Sequence, residues 1–214
     1  MAELIPINSP GWSLEYGVPG HPLAVVVHDW YGRLPWVARY AEALSTFGFR
    51  VVAPDFYNGV ATTDPQTAQQ LRSELDVGRS LGIIDDAIFE ARTQGTERIG
   101  VVGFSMGAWL ALLHAQGGSA DAVVGYYGSL DAAEHAVTPC PVLLHLAELD
   151  EWPDAEDPEN LIVHLKDHGT PVTEHTYRGA RHSFANESIE TAWDPAAAAL
   201  AFERTVVFLD EHLR

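Results

Sequence analysis

Residues 98–116 read Arg98-Ile-Gly-Val-Val-Gly-Phe-Ser-Met-Gly-Ala-Trp-Leu-Ala-Leu-Leu-His-Ala-Gln116. A short β-branched run, Ile99 to Val102, stops at Gly103, and an apolar helix pattern begins just after Ser105. The stretch therefore reads as a strand, a sharp turn and a helix. A serine at such a turn has strained backbone angles, and the segments on either side approach closely; Gly103 and Gly107 remove the Cβ atoms that would collide. The Ser105 hydroxyl is pushed outward. The turn also leaves N–H groups at a new helix N-terminus, so the Met106 amide would point at an oxyanion forming beside Ser105. The same string also suits an ordinary glycine-rich turn with a serine N-cap. The strand before it and the apolar helix after it favour a nucleophile.

The chain on both sides alternates between strand and helix patterns. Residues 12–17 and 23–28 are short strand candidates, and the second, Leu23-Ala-Val-Val-Val-His28, is apolar almost throughout, as a buried central strand is. Apolar residues recur at helical spacing from Trp36 to Phe47, Gly48 closes that helix, and Arg50 to Pro54 is the next strand. A polar loop over 55–65 precedes helices at about 66–75 and 80–94. After the Ser105 turn come strands at Ala122 to Tyr127 and Val142 to Leu146, a helix near 156–168, a strand at 172–177 and a final helix over about 194–212. The alternation predicts one α/β domain over residues 1–214, with a mostly parallel central sheet covered by helices on both faces. Only about twenty residues separate the strand at 122–127 from that at 142–146, which leaves no room for a large helical lid.

Composition narrows the function. The 30 acidic and 12 basic residues give a formal charge of −18, with Lys166 the only lysine, so a nucleic-acid backbone would be repelled. Cys140 is the only cysteine, which excludes an intrachain disulfide and a cysteine-rich metal site. The leading Met-Ala-Glu-Leu-Ile-Pro lacks the basic and apolar regions of a signal peptide, and no apolar run reaches membrane-spanning length. A cytoplasmic protein without membrane contact is expected; the oligomeric state is not readable.

A serine hydroxyl needs a base, and a histidine base needs an acid that fixes its tautomer. On this kind of turn the acid and then the histidine follow the nucleophile in sequence, just after strand ends. Asp150, a short loop beyond the strand at 142–146, is the chosen acid; Glu148, Glu151 and Asp154 stand close enough to compete. Of ten histidines, His145 and His175 fall within strands, His164 and His168 on a solvated helix, and His114 follows the helix after Ser105. His182, in the loop after the last strand, is the chosen base. A second oxyanion donor comes from the loop His28-Asp-Trp-Tyr-Gly32, with the Trp30 amide as first choice and Asp29 facing the nucleophile side. Asp55 reads as a turn former.

These residues resemble the dienelactone hydrolase family of compact α/β-hydrolases. The likeness runs through His28 to Gly32, Ala53-Pro-Asp-Phe-Tyr57, Gly103 to Gly107, Val124-Gly-Tyr-Tyr-Gly128, Leu144-His-Leu-Ala-Glu-Leu-Asp150, Gly179-Ala-Arg-His-Ser-Phe-Ala185 and Glu203-Arg-Thr205. The resemblance implies the α/β-hydrolase fold. It also implies a cysteine nucleophile, where this chain has Ser105, and a glutamate beside it, where this chain has Asp29. A glycine three residues before the acid is here Ala147, and one before the histidine is Arg181. Arginines that hold a substrate carboxylate are implied as well. One falls at Asn186, and Arg72 lies near the other, while Arg178 or Arg181 could compensate.

The reading is a serine hydrolase of a small ester or lactone that works through an acyl-enzyme and needs neither metal nor organic cofactor. Alternatives are acyl transfer or perhydrolysis on the same three residues, and a ligand-binding protein on a hydrolase scaffold. Trp30, Tyr31, Trp36, Tyr57 and Phe184 are candidates for an aromatic pocket or for plain core packing.

Overall fold

A computed structural model of the chain describes residues 4–7, 12–151 and 157–214. Its centre is a seven-stranded sheet made of β2 (Leu14–Tyr16), β3 (Leu23–Val27), β4 (Arg50–Ala53), β6 (Ile99–Phe104), β7 (Ala122–Tyr126), β8 (Val142–Leu149) and β9 (Val172–Arg181), in the order β2-β4-β3-β6-β7-β8-β9. Only β2 runs antiparallel to its neighbour. The middle of the sheet is in continuous register: Val26 faces Val102, Val102 faces Val124 and Val124 faces Leu143. Every residue of β3, β4, β6 and β7 is buried, as expected where helices cover both sides of parallel strands.

The covering helices are α1 (Pro35–Ser45), α2 (Pro65–Ser73), α3 (Val77–Thr93), α4 (Met106–Ala115), α5 (Pro158–Asp167) and α6 (Pro195–Leu213). Tyr40 and Phe47 both meet Phe202, so α1 and α6 share one face; α3 packs beside α4 on the other, and α5 packs against β9. Three helices begin with the same dipeptide, Asp64-Pro65, Asp157-Pro158 and Asp194-Pro195. The aspartate caps the first turn from outside while proline, which has no N–H to satisfy, sits just inside. This explains why the sequence pattern alone puts helix starts a residue or two away.

Two departures from the sequence expectation matter for the site. The polar loop over 55–65 contains β5 (Val60–Ala61), which pairs antiparallel with β1 (Ile5–Pro6) and is attached to the loop after β3 through Thr62 N–H to Tyr31 O. Strands β8 and β9 run three and four residues beyond the ranges expected from the sequence, with their added ends mostly exposed. Their last pair is Leu149 with Arg181, past an irregularity near Ala147. His114 lies within the last turn of α4 rather than after it, where its Nε2 meets Asp85 at 2.8 Å. Between β7 and β8 the structure has only one short 3-10 turn, Ala132–Glu134, so nothing there roofs the carboxyl ends of the strands.

Leu110, fully buried on α4, tests this packing. Leu110→Ala is expected to lower unfolding stability by about 2–5 kcal/mol. In a urea titration this would appear as a lower midpoint with an unchanged slope.

Candidate active site

The turn after β6 is strained as the sequence implies. Ser105 has φ +51° and ψ −114°, a backbone conformation outside the ordinary regions for a residue with a side chain. A Cβ on Gly103 would stand 2.0 Å from the Gly107 carbonyl oxygen, and one on Gly107 would stand 2.4 Å from the carbonyl oxygens of both Val27 and His28. Any side chain at either position would displace backbone. The Ser105 N–H donates to the Tyr126 carbonyl at 2.9 Å, and Met106 opens α4, where the first N–H groups have no partner within the helix.

Ser105, His182 and Asp150 meet although they are far apart in sequence. Ser105 Oγ lies 2.7 Å from His182 Nε2, and His182 Nδ1 lies 2.9 and 3.0 Å from the two Asp150 oxygens. The strand register brings the acid and the histidine together: Leu149 pairs with Arg181, and the next residue on each strand is Asp150 or His182. Beyond them the chain turns at Ser183, which has positive φ, and is anchored by the fully buried Phe184. The Tyr127 ring stands edge-on to the imidazole, 5.1 Å between centroids. The competing carboxylates are engaged elsewhere: Glu148 accepts from Gly179 N–H at 2.7 Å, and Glu151 pairs with Arg181 at 3.8 Å. Asp154 lies outside the described residues.

The loop after β3 packs against this group. His28 is buried and neutral: Nδ1 donates to the Asp29 carbonyl at 2.6 Å, Nε2 accepts from Phe56 N–H at 3.2 Å, and burial lowers its pKa to about 4. Asp29 is also fully buried. One carboxylate oxygen accepts from Tyr31 N–H at 3.0 Å, and the other accepts from Asn186 Nδ2 at 2.8 Å. Burial raises its pKa to about 7, with the Asn186 bond, the Tyr31 amide and the nearby His182 opposing the rise. Asn186, expected at an anion subsite, is instead a buried clamp that joins the histidine loop to the loop after β3. Its own oxygen accepts from Ser188 N–H. The Asp29–Asn186 contact was not visible in the sequence, since it spans 157 positions without a spacing rule.

Asp55 is a turn former, accepting from the backbone N–H groups of Tyr57 and Gly59. Arg72, exposed on the last turn of α2, bears electrostatically on the Tyr57 hydroxyl, which donates to Met106 Sδ at 3.2 Å. Arg181, by contrast, turns out to Glu151. Trp30, Tyr31, Trp36, Tyr57 and Phe184 are all buried. Trp36 stacks edge-on against Phe104, and Phe184 packs on Tyr177. Among the described residues no histidine, cysteine or carboxylate group is arranged to hold a metal ion, and no helix is long and apolar enough to cross a membrane.

A strained serine turn after the central strand of this sheet, with a carboxylate and a histidine after strands that follow, is the arrangement of an α/β-hydrolase. The chain belongs to the dienelactone hydrolase family, whose model matches residues 16–213. It is 30% identical to "Protein usf" of Aquifex pyrophilus over 97% of this chain and 92% of that protein. It is 31% identical to the carboxymethylenebutenolidase of Pseudomonas putida over 88% and 85% of the two chains. A Klebsiella pneumoniae structure assigned as a dienelactone hydrolase superposes with a TM-score of 0.77 at 18% identity, covering 99% of this chain and 98% of that one. That last likeness speaks to the fold alone.

The Asp29 environment gives a signed expectation. A carboxyl group held protonated more tightly in the folded state than in the unfolded one loses stability as pH rises between the two pKa values, here from about 4 to about 7. Three powers of ten in proton affinity correspond to about 4 kcal/mol. Asp29→Asn should therefore gain in stability relative to the wild type across that window when urea midpoints are compared at several pH values. A difference that stays flat, or falls with pH, would rule out a raised Asp29 pKa.

Proposed function

We propose that this protein is a serine hydrolase that opens a small lactone or cleaves a small carboxylic ester through an acyl-enzyme. The observation that carries the reading is the hydrogen-bonded line from Ser105 Oγ through His182 to Asp150, 2.7 and 2.9 Å in length, beneath a strained turn. His182 Nε2 takes the hydroxyl proton as Ser105 Oγ bonds to the substrate carbonyl carbon. Asp150 holds Nδ1–H and so keeps Nε2 free to accept.

The oxyanion that forms is received by the amides of Met106 and Trp30. The protonated His182 then gives its proton to the departing oxygen. For a lactone this oxygen stays attached to the acyl group as the ring opens. A water deprotonated by His182 attacks the acyl carbon, the bond to Ser105 Oγ breaks, and the free acid leaves with the serine proton restored. Ionised Asp29 lies within electrostatic reach of His182 and would favour the imidazolium formed in both steps.

Kinship to a carboxymethylenebutenolidase supports a lactone as the substrate class. With Asn186 committed to Asp29 and Arg181 to Glu151, Arg72, whose charge bears on the Tyr57 hydroxyl, is put forward to meet a substrate carboxylate, with Arg178 as the alternative.

The test compares kcat/KM for a carboxylate-bearing dienelactone and a neutral short-chain aryl ester. Ser105→Ala is expected to lower both by at least about 1,000-fold. A variant that retains more than a few per cent of wild-type turnover would defeat the assignment. Arg72→Ala is expected to raise KM for the dienelactone about 10-fold, a loss of about 1.4 kcal/mol, while leaving the neutral ester within about 2-fold. Equal effects on both substrates would remove Arg72 from substrate recognition.

A further inference from the structure

Under the Ser105 turn, five polar side chains from five elements form one hydrogen-bonded line. The Tyr177 hydroxyl of β9 meets His145 Nδ1 of β8 at 2.8 Å, and His145 Nε2 meets Thr205 Oγ1 of α6 at 3.0 Å. Thr205 Oγ1 meets the Tyr126 hydroxyl of β7 at 2.7 Å, and that hydroxyl meets Tyr40 of α1 at 3.1 Å. His145, Thr205 and Tyr126 are completely buried. Removing such groups from water is unfavourable unless each is paired, so the line is tolerated only when complete.

Counting protons gives the line a direction. Arg204 lies over the Tyr177 ring at 5.4 Å and offers that residue only donors. With the Tyr177 proton on His145 Nδ1, one consistent direction satisfies the whole line: His145 donates from Nε2 to Thr205, Thr205 donates to Tyr126, and Tyr126 donates to Tyr40. His145 must stay neutral for this to hold. Burial, with His175 and Arg204 as its charged or chargeable neighbours, keeps its pKa well below the ordinary histidine value.

The line reaches the proposed site through the main chain. The Tyr126 carbonyl accepts the Ser105 N–H at 2.9 Å, and the His145 carbonyl accepts the Tyr127 N–H at 2.8 Å. The Tyr127 ring is the one that stands against His182, and the Tyr126 ring stacks at 4.4 Å on Phe104, the residue before Ser105. A backbone conformation as unusual as that of Ser105 persists only where its surroundings over-determine it.

We infer that Thr205, the junction of this line, is a positioning residue for the nucleophile: by binding Tyr126 and His145 at once it holds the Ser105 amide and the support under His182 in register. The inference rests on the reading of Ser105 as a nucleophile, and the experiment separates the two. Full-length wild type, Thr205→Val and Thr205→Ser are compared, with Ser105→Ala as the blank. The readouts are the rate of Ser105 labelling by a fluorophosphonate, and kcat and KM for a neutral aryl ester. Valine keeps the volume and removes both bonds; serine keeps the bonds.

Thr205→Val is expected to slow labelling and lower kcat about 10-fold with KM within about 2-fold, and Thr205→Ser to stay within about 2-fold of wild type. A Thr205→Val protein that reacts at the wild-type rate, or a Thr205→Ser protein as slow as the valine variant, overturns the positioning role. Wild type that takes no label overturns the nucleophile reading, and the positioning role with it. A measurement on the wild type alone covers the case where the valine variant does not fold. Nitrogen-15 NMR should show the sole His145 ring proton on Nε2 from about pH 5 to pH 8. A proton on Nδ1, or titration within that range, overturns the inference.

Discussion

The close approach of three backbone segments at Gly103 and Gly107 is the constraint on which the rest depends. Gly107 lies against the carbonyls that end β3, and Gly103 lies against the first turn of α4, so strand, turn and helix share a space that no Cβ could enter. The contact does two things at once. It forces Ser105 to positive φ with its hydroxyl outward, and it brings the start of α4 up to the loop that carries Trp30. The strained backbone of Ser105 and the position of the first turn of α4 are thus consequences of the same contact.

Around that point, electrostatics is arranged by burial more than by charge count. The chain carries a formal charge of −18, yet the groups that bear on Ser105 are few and individually controlled. His28 and His145 are kept neutral by burial, Asp29 is pushed toward neutrality and tethered by an amide rather than a guanidinium, and Asp150 remains partly open to water. The exposed acids contribute mainly solubility and helix caps; Asp64, Asp157 and Asp194 each start a helix in partnership with a proline.

The fold was legible because its signals are local. Apolar runs such as Leu23 to Val27, alternating with helical spacing, announce a parallel sheet, and the glycines around Ser105 announce the sharp turn. The meeting of Ser105, His182 and Asp150 was legible from chain order, since strand ends collect on one edge of such a sheet. What escaped is long-range and side-chain specific. Asn186 reads as a vacant anion subsite until its amide is seen on Asp29, and β5 is invisible within a polar loop because two residues carry no periodicity. His145 reads as an ordinary strand residue, since nothing near it in sequence points to Thr205 or Tyr177.

The residues around Ser105 come from positions near 30, 105, 126, 150, 182 and 186, carried by five strands and the loops that leave them. Contacts between such distant parts of a chain form slowly, because loop closure must precede any reward from pairing. The final contact between β8 and β9 sets Asp150 beside His182, so that contact is missing until the outer strand has docked. The contacts among Ser105, His182 and Asp150 therefore depend on long-range strand pairing rather than on the return of helix content.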